Sequence, residues 1–115
     1  MAFTELETAR NLAAIKWFLD RRRPPEQIRP KLDIACKLEG QVVDVFEIRP
    51  DWQDKTIIRH SPVARLRYVR TENVWRLYWM RSDLKWHAYQ PAAVHKSLRA
   101  ALEEVNADPC CCFFG

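Results

Sequence analysis

The sequence predicts an α+β domain, an antiparallel sheet of about five strands flanked by an N-terminal and a C-terminal helix. Three observations carry this. Apolar residues recur at helical spacing near both ends of the chain. Between them the pattern switches to period two over several short runs. Tight turns separate those runs, with no room for the crossover helices that a parallel sheet requires.

The first helix opens at Thr4, with Glu7 three residues on, the spacing of a capping box. Leu6, Ala9, Leu12, Ala13, Ile15, Trp17, Phe18 and Leu19 follow on a spread wider than one stripe. Arg21–Arg23 suit the negative end of the helix dipole, and Pro24-Pro25 end the helix. Leu32, Ile34, Cys36 and Leu38 then alternate with Lys31, Asp33, Ala35 and Lys37 as a half-buried strand. Glu39-Gly40 is expected to form a two-residue hairpin turn, which sets Cys36 opposite Val43 and Ile34 opposite Val45. Val42, Phe46 and Ile48 fall on the other face and call for cover, which Phe113 and Phe114 of the terminal CFFG would supply. Residues 51–58 read as a loop with a short edge strand. SPVARLRYVR, NVWRLYWMR and DLKWHAY give three further strands, the first two joined at Thr71-Glu72-Asn73. A bulge at Asn73 would bring Arg65 and Arg67 beside Trp79 and Leu77. Ser97 caps a second helix with Leu98, Ala101, Leu102 and Val105 on one face.

At 115 residues the chain has the length of one domain, 1–115. Its two glycines, Gly40 and Gly115, exclude glycine-rich phosphate loops. The opening shows no signal peptide, and no apolar run approaches the roughly 18 residues of a membrane span. A cytoplasmic location, no membrane association and reduced thiols at Cys36 and Cys110–Cys112 are the expectation. The net charge of +4 is concentrated. Residues 59–87 hold seven Lys/Arg against two acids, whereas the rest of the chain is one positive charge short of neutral. An anion-attracting surface belongs in that third.

Period two applied to the last three strands puts Ala64, Leu66, Tyr68, Trp75, Leu77, Trp79, Leu84, Trp86 and Ala88 on the core face. Arg65, Arg67, Arg76, Tyr78, Lys85, His87 and Tyr89 take the outer face together with Met80. Those seven are the candidate nucleic-acid-binding residues. Rings interleaved with cations suit single-stranded DNA or RNA, with bases stacked at about 1–3 kcal/mol each and cations along the phosphates. An acidic protein is the other partner such a face fits, and plain solvation of an exposed sheet is the bland alternative.

Catalytic readings are weaker, and enzymatic activity stays open. Lys85 and His87 on one strand face, about 7 Å apart, would mutually lower their pKa values beside Asp83. His60, His87 and His95 lack chelating spacing, and adjacent cysteines do not match the usual zinc spacing, so no metal and no cofactor is called for. Asp33, Asp44 and Glu47-Ile48-Arg49 resemble a nuclease cluster only loosely, because arginine stands where a lysine is wanted and Asp44 faces away from Glu47. Arg49-Pro50-Asp51-Trp52 reads as a loop anchor or a pocket rim, and an exposed CFFG tail would be a protein-interaction element. Oligomeric state has no signature here.

RRRPPEQIRPKLDI, FEIRPDW, WRLYWMRSDLKWHAYQP and the closing CFFG together resemble a family of small bacterial proteins, domain of unknown function 3024. The resemblance spans the chain from its first helix to its last glycine. It implies a single-domain bacterial cytosolic protein with no established activity, and it transfers no catalytic residue. It also implies variable residues before the final Cys-Phe-Phe-Gly, which counts against a shared metal site at Cys110 and Cys111.

Overall fold

The structure, a computed structural model, describes residues 2–114. Its order is α1 (Glu5–Arg22), β1 (Asp33–Glu39), β2 (Val42–Pro50), β3 (Ile58–Val69), β4 (Val74–Met80), β5 (Trp86–Ala88), β6 (Val94–His95) and α2 (Leu98–Ala107). The strands form one antiparallel sheet in the order β1-β2-β3-β4-β5. The short β6 shares the outer edge of β4 with β5, pairing Trp75 with His95 and Arg76 with Val94. Such a two-residue strand carries no period to read, and a 3-10 turn at Gln90–Ala92 hides it in sequence.

Both helices begin as their caps dictate. Thr4 Oγ1 accepts from the Glu7 amide at 3.1 Å and Glu7 Oε1 accepts from the Thr4 amide at 2.9 Å. Ser97 Oγ accepts from the Ala100 amide at 3.0 Å. α2 buries Leu98, Ala101, Leu102 and Val105, the predicted stripe. α1 buries Asn11, Ala14, Ile15 and Phe18, leaving Leu6 and Leu12 exposed. These two stripes meet Ile34, Val43, Val45, Ala64, Leu66, Trp75 and Leu77 from a single face of the sheet. The molecule is therefore two layers, helices on one side and bare sheet on the other.

Several expectations need correction. The first hairpin turns at Gly40-Gln41, one residue later than expected, with Gly40 at φ 58°. Cys36 then faces Val45, Leu38 faces Val43 and Ile34 faces Glu47. Moving a turn by one residue displaces the register by two, which preserves the face of every side chain, so the apolar set stayed inward. The bulge falls between β2 and β3 at Val45/Phe46, not at Asn73. Arg65 consequently pairs with Tyr78, and Arg67 with Arg76. Residues 51–57 form a loop without a strand, and β3 begins at Ile58. Asp51 is the anchor of that loop. Its carboxylate accepts from the Gln53 and Asp54 amides at 3.1 Å each and from Arg59, while Trp52 stands 84% exposed.

The largest correction concerns β5. Trp79 pairs with His87 and Met80 with Trp86, so Trp86 and Ala88 lie on the outer face and His87 and Tyr89 on the helix side. The cause is the loop before it. The Arg81 amide donates to Lys85 O at 3.2 Å and the Leu84 amide to Arg81 O at 2.9 Å, with Leu84 left-handed at φ 61°. Such a three-residue loop closed by a left-handed residue pairs positions of equal parity across the hairpin. Leu84, expected in the core, is 81% exposed on that loop.

The C-terminal segment does not cover β2. Phe113 is buried against Tyr89, ring centroids 5.0 Å apart, and Phe114 lies 6.5 Å from Phe18 with the Arg22 guanidinium 4.1 Å above its ring. Asp108 fixes it there, accepting from the Phe113 and Phe114 amides at 3.1 and 2.9 Å. Val42, Phe46 and Ile48 stay half-buried on the open face.

Candidate functional site

The centre of the open face is built by alternation along four strands. β2 contributes Asp44 and Phe46, β3 His60 and Arg65, β4 Tyr78 and Met80, and β5 Trp86. A shallow depression of about 390 Å³ is lined by Lys37, Asp44, Phe46, His60, Arg65, Met80 and Trp86 among others. Two stacked pairs frame it. Phe46 and His60 stack at 4.9 Å and 22°, and the Arg65 guanidinium lies 4.9 Å from the Trp86 ring centroid. Asp44 holds Arg65 in both positions of its fork, at 2.7 and 3.1 Å, so the cation is oriented by a fixed carboxylate.

Of the seven candidate residues, Arg65, Arg67, Arg76 and Tyr78 share this face. Arg67 donates to Tyr78 Oη at 3.2 Å, a cation and a ring joined across adjacent strands. Lys85 ends the exposed loop before β5. His87 and Tyr89 do not belong to this face. Tyr89 is fully buried and donates to Glu104 at 3.0 Å, its ionisation pushed up by burial and then by Cys110 and Glu104. Trp86, Phe46 and His60 are the residues sequence reasoning left out. Period two carried on from Trp75 and Trp79 puts Trp86 in the core, and only the geometry of the loop reveals otherwise. Phe46 is an outer residue by period two as well, and it stays open because the tail expected to cover it packs against Tyr89 and Phe18.

The local charge surplus is partly neutralised in place. Arg59 pairs with Asp51, Arg65 with Asp44, Arg70 with Glu7 and Arg76 with Glu72. Among the described residues Arg67, Arg81 and Lys85 form no ion pair. Exposed pairs contribute about 0–1 kcal/mol each, so they redistribute charge more than they stabilise.

Around Lys85 and His87 the arrangement is different. His87 Nε2 is 2.8 Å from Asp83 Oδ2, and the histidine holds the Asp83 carboxyl below its usual range, with help from the Lys85 amide. A hollow of about 290 Å³ beside it is bounded by Trp79, His87, Pro91 and Cys112 among others, without Lys85. Burial raises the Cys112 thiol, the reverse of what a nucleophile needs. Burial likewise pushes the Cys36 thiol up to about 12. Among the described residues no group of three His, Cys, Asp or Glu side chains is placed to hold a metal ion. Nor is any described helix long and apolar enough to cross a membrane.

Fold and face together define a small two-layer α+β protein with one uncovered, aromatic-rich sheet surface. The chain belongs to the family described as domain of unknown function (DUF3024), whose model matches residues 3–115. No curated protein and no solved structure matches it.

Proposed function

We propose that the open sheet face is a binding surface for single-stranded nucleic acid. One observation supports this reading above the others. Both helices and the C-terminal segment pack on one side, while Phe46, Tyr78, Met80 and Trp86 remain on the other among Lys37, Arg65, Arg67 and Arg76. Leaving rings half in water forfeits part of the roughly 1.5–3 kcal/mol that full burial of each would bring. A base has two apolar faces to offer such rings, at about 1–3 kcal/mol per stack. Sheets with helices behind and aromatics in front are a recurring platform for splayed single strands. The cations would follow the phosphates, which makes affinity fall with salt.

Fluorescence anisotropy with labelled single-stranded DNA and RNA over a salt series tests the reading. Wild type is expected to bind with a steep salt slope. Trp86→Ala should weaken binding about tenfold or more while keeping the fold, since it removes one stack. Arg67→Ala should weaken it and flatten the salt slope. If Arg67→Ala weakens binding and Trp86→Ala leaves it unchanged, the face holds phosphates by charge alone and the base-stacking version is wrong. No binding at low salt ends both nucleic-acid versions.

A further inference from the structure

On the helix side of the sheet lies a further recess of about 100 Å³. It is bounded by the first turns of α1, the start of α2 and the rings of Phe3, Tyr68 and Trp75. At about 30 Å³ per water in the liquid, it has room for a group the size of phosphate but not for a base or sugar.

The start of α2 presents donors to this space. Ser97 Oγ is spent on the Ala100 amide and Ser97 O on the Ala101 amide. The Leu98 and Arg99 amides have no acceptor among the described residues, and both residues border the recess. No acid occupies the first turn to answer the positive end of the dipole. The second observation is independent of the helix. Asn11, on α1, is only 6% exposed, borders the same recess, and its side-chain amide has no hydrogen-bond partner among the described residues. The amide is not sealed off from solvent, so its exposed polar atoms open onto the recess that the residue borders and are free to meet an acceptor there. Arg10 and Lys96 stand at the border and form no ion pair among the described residues. Glu7, the carboxylate on the border, already accepts from the Thr4 amide and from Arg70.

We infer that this recess binds a phosphate-sized tetrahedral oxyanion, received by the Leu98 and Arg99 amides and the Asn11 side chain, with Arg10 and Lys96 as counter-charges. Free phosphate and the head of a small phosphomonoester present the same chemistry. The site lies off the open sheet face and is independent of the nucleic-acid reading.

The test is an NMR titration of the full-length, nitrogen-15-labelled protein with inorganic phosphate and, in parallel, with glycerol 3-phosphate. Saturable shifts are expected at the Leu98 and Arg99 amides and at the Asn11 side-chain amide. Equal affinity for the two compounds assigns a free anion, and tighter binding of the ester assigns a phosphomonoester. Arg10→Glu/Lys96→Glu should weaken binding at least about tenfold, the scale of charge-assisted hydrogen bonds. Lys31→Glu/Lys55→Glu changes the net charge equally at distant exposed positions and should leave the affinity unchanged. Asn11→Leu should abolish the site, and if that variant unfolds, the two charge-matched doubles still decide. Shifts that never saturate, or that both doubles weaken alike, overturn the proposal.

Discussion

Leu84 shows how one residue decides which way a strand faces. It sits at φ 61°, a conformation that costs a non-glycine residue about 1–2 kcal/mol, with its side chain almost wholly in water. Substitution by glycine removes that strain and forfeits little burial, although glycine gives back about 0.5–1 kcal/mol in unfolded-chain entropy. Leu84→Gly is therefore expected to stabilise the fold by about 0.5–1 kcal/mol, read as a shifted midpoint in urea. A loss of stability would mean that the leucine side chain has a contact on the open face. The same residue explains what was illegible in the sequence. Trp86, Ala88 and Leu84 look like an inward-facing set because they are apolar. Only a left-handed position announces the three-residue loop, and that position is usually marked by glycine or asparagine. With leucine there, the parity of β5 had no visible sign, and His87 and Tyr89 were assigned to the wrong face. By contrast Arg65, Arg67, Arg76 and Tyr78 lie on long strands whose period is unambiguous, and their common face was legible.

Helices whose starts are chemically marked are legible in the sequence, and elements marked only by tertiary contact are not. Thr4 with Glu7, and Ser97, declare their helices because a side-chain oxygen at that spacing satisfies an otherwise orphaned amide. β6 and the placement of the C-terminal segment carry no such local sign. That segment is held by Asp108, which ends α2 in a left-handed conformation and accepts from two successive backbone amides. Its carboxylate thereby delivers Phe113 to Tyr89 in the core. Asp108→Ala would leave two amides without acceptors and loosen Phe113, at a cost of about 1–3 kcal/mol. Urea denaturation monitored by circular dichroism checks the magnitude. Tryptic cleavage after Arg99 is not expected to accelerate, because α2 keeps its buried stripe. A variant as stable as wild type would show that Phe113 holds its place by ring packing alone.

At the scale of the whole molecule, ion pairs tie elements to one another and to the loops between them, and they share one titration behaviour. Glu7 of α1 meets Arg70 beyond β3, Asp33 at the start of β1 meets Arg23 beyond α1 at 2.8 Å in both positions, and Asp51 meets Arg59. Each of these carboxyls is held below its ordinary value. The chief cause is the Thr4 amide for Glu7, the Arg23 guanidinium for Asp33 and the Arg59 guanidinium for Asp51. A folded-state pKa below the unfolded one means that the unfolded chain binds more protons as pH falls. The resulting stability is fully present above the unfolded carboxylate values of about 4 and is lost as pH drops through the lowered folded ones. The melting temperature is thus expected to change little from about pH 7 to about pH 5 and to fall steeply below about pH 4. Asp51→Asn should lower stability at neutral pH and flatten the acid limb, because an amide retains some acceptor capacity for the Gln53 and Asp54 amides without titrating. A decline already evident between pH 7 and pH 5 would show that these three carboxyls do not set the acid limb. A melting temperature that stayed level into the acid range would show that these pairs, well formed as they are, couple the elements geometrically without stabilising the fold.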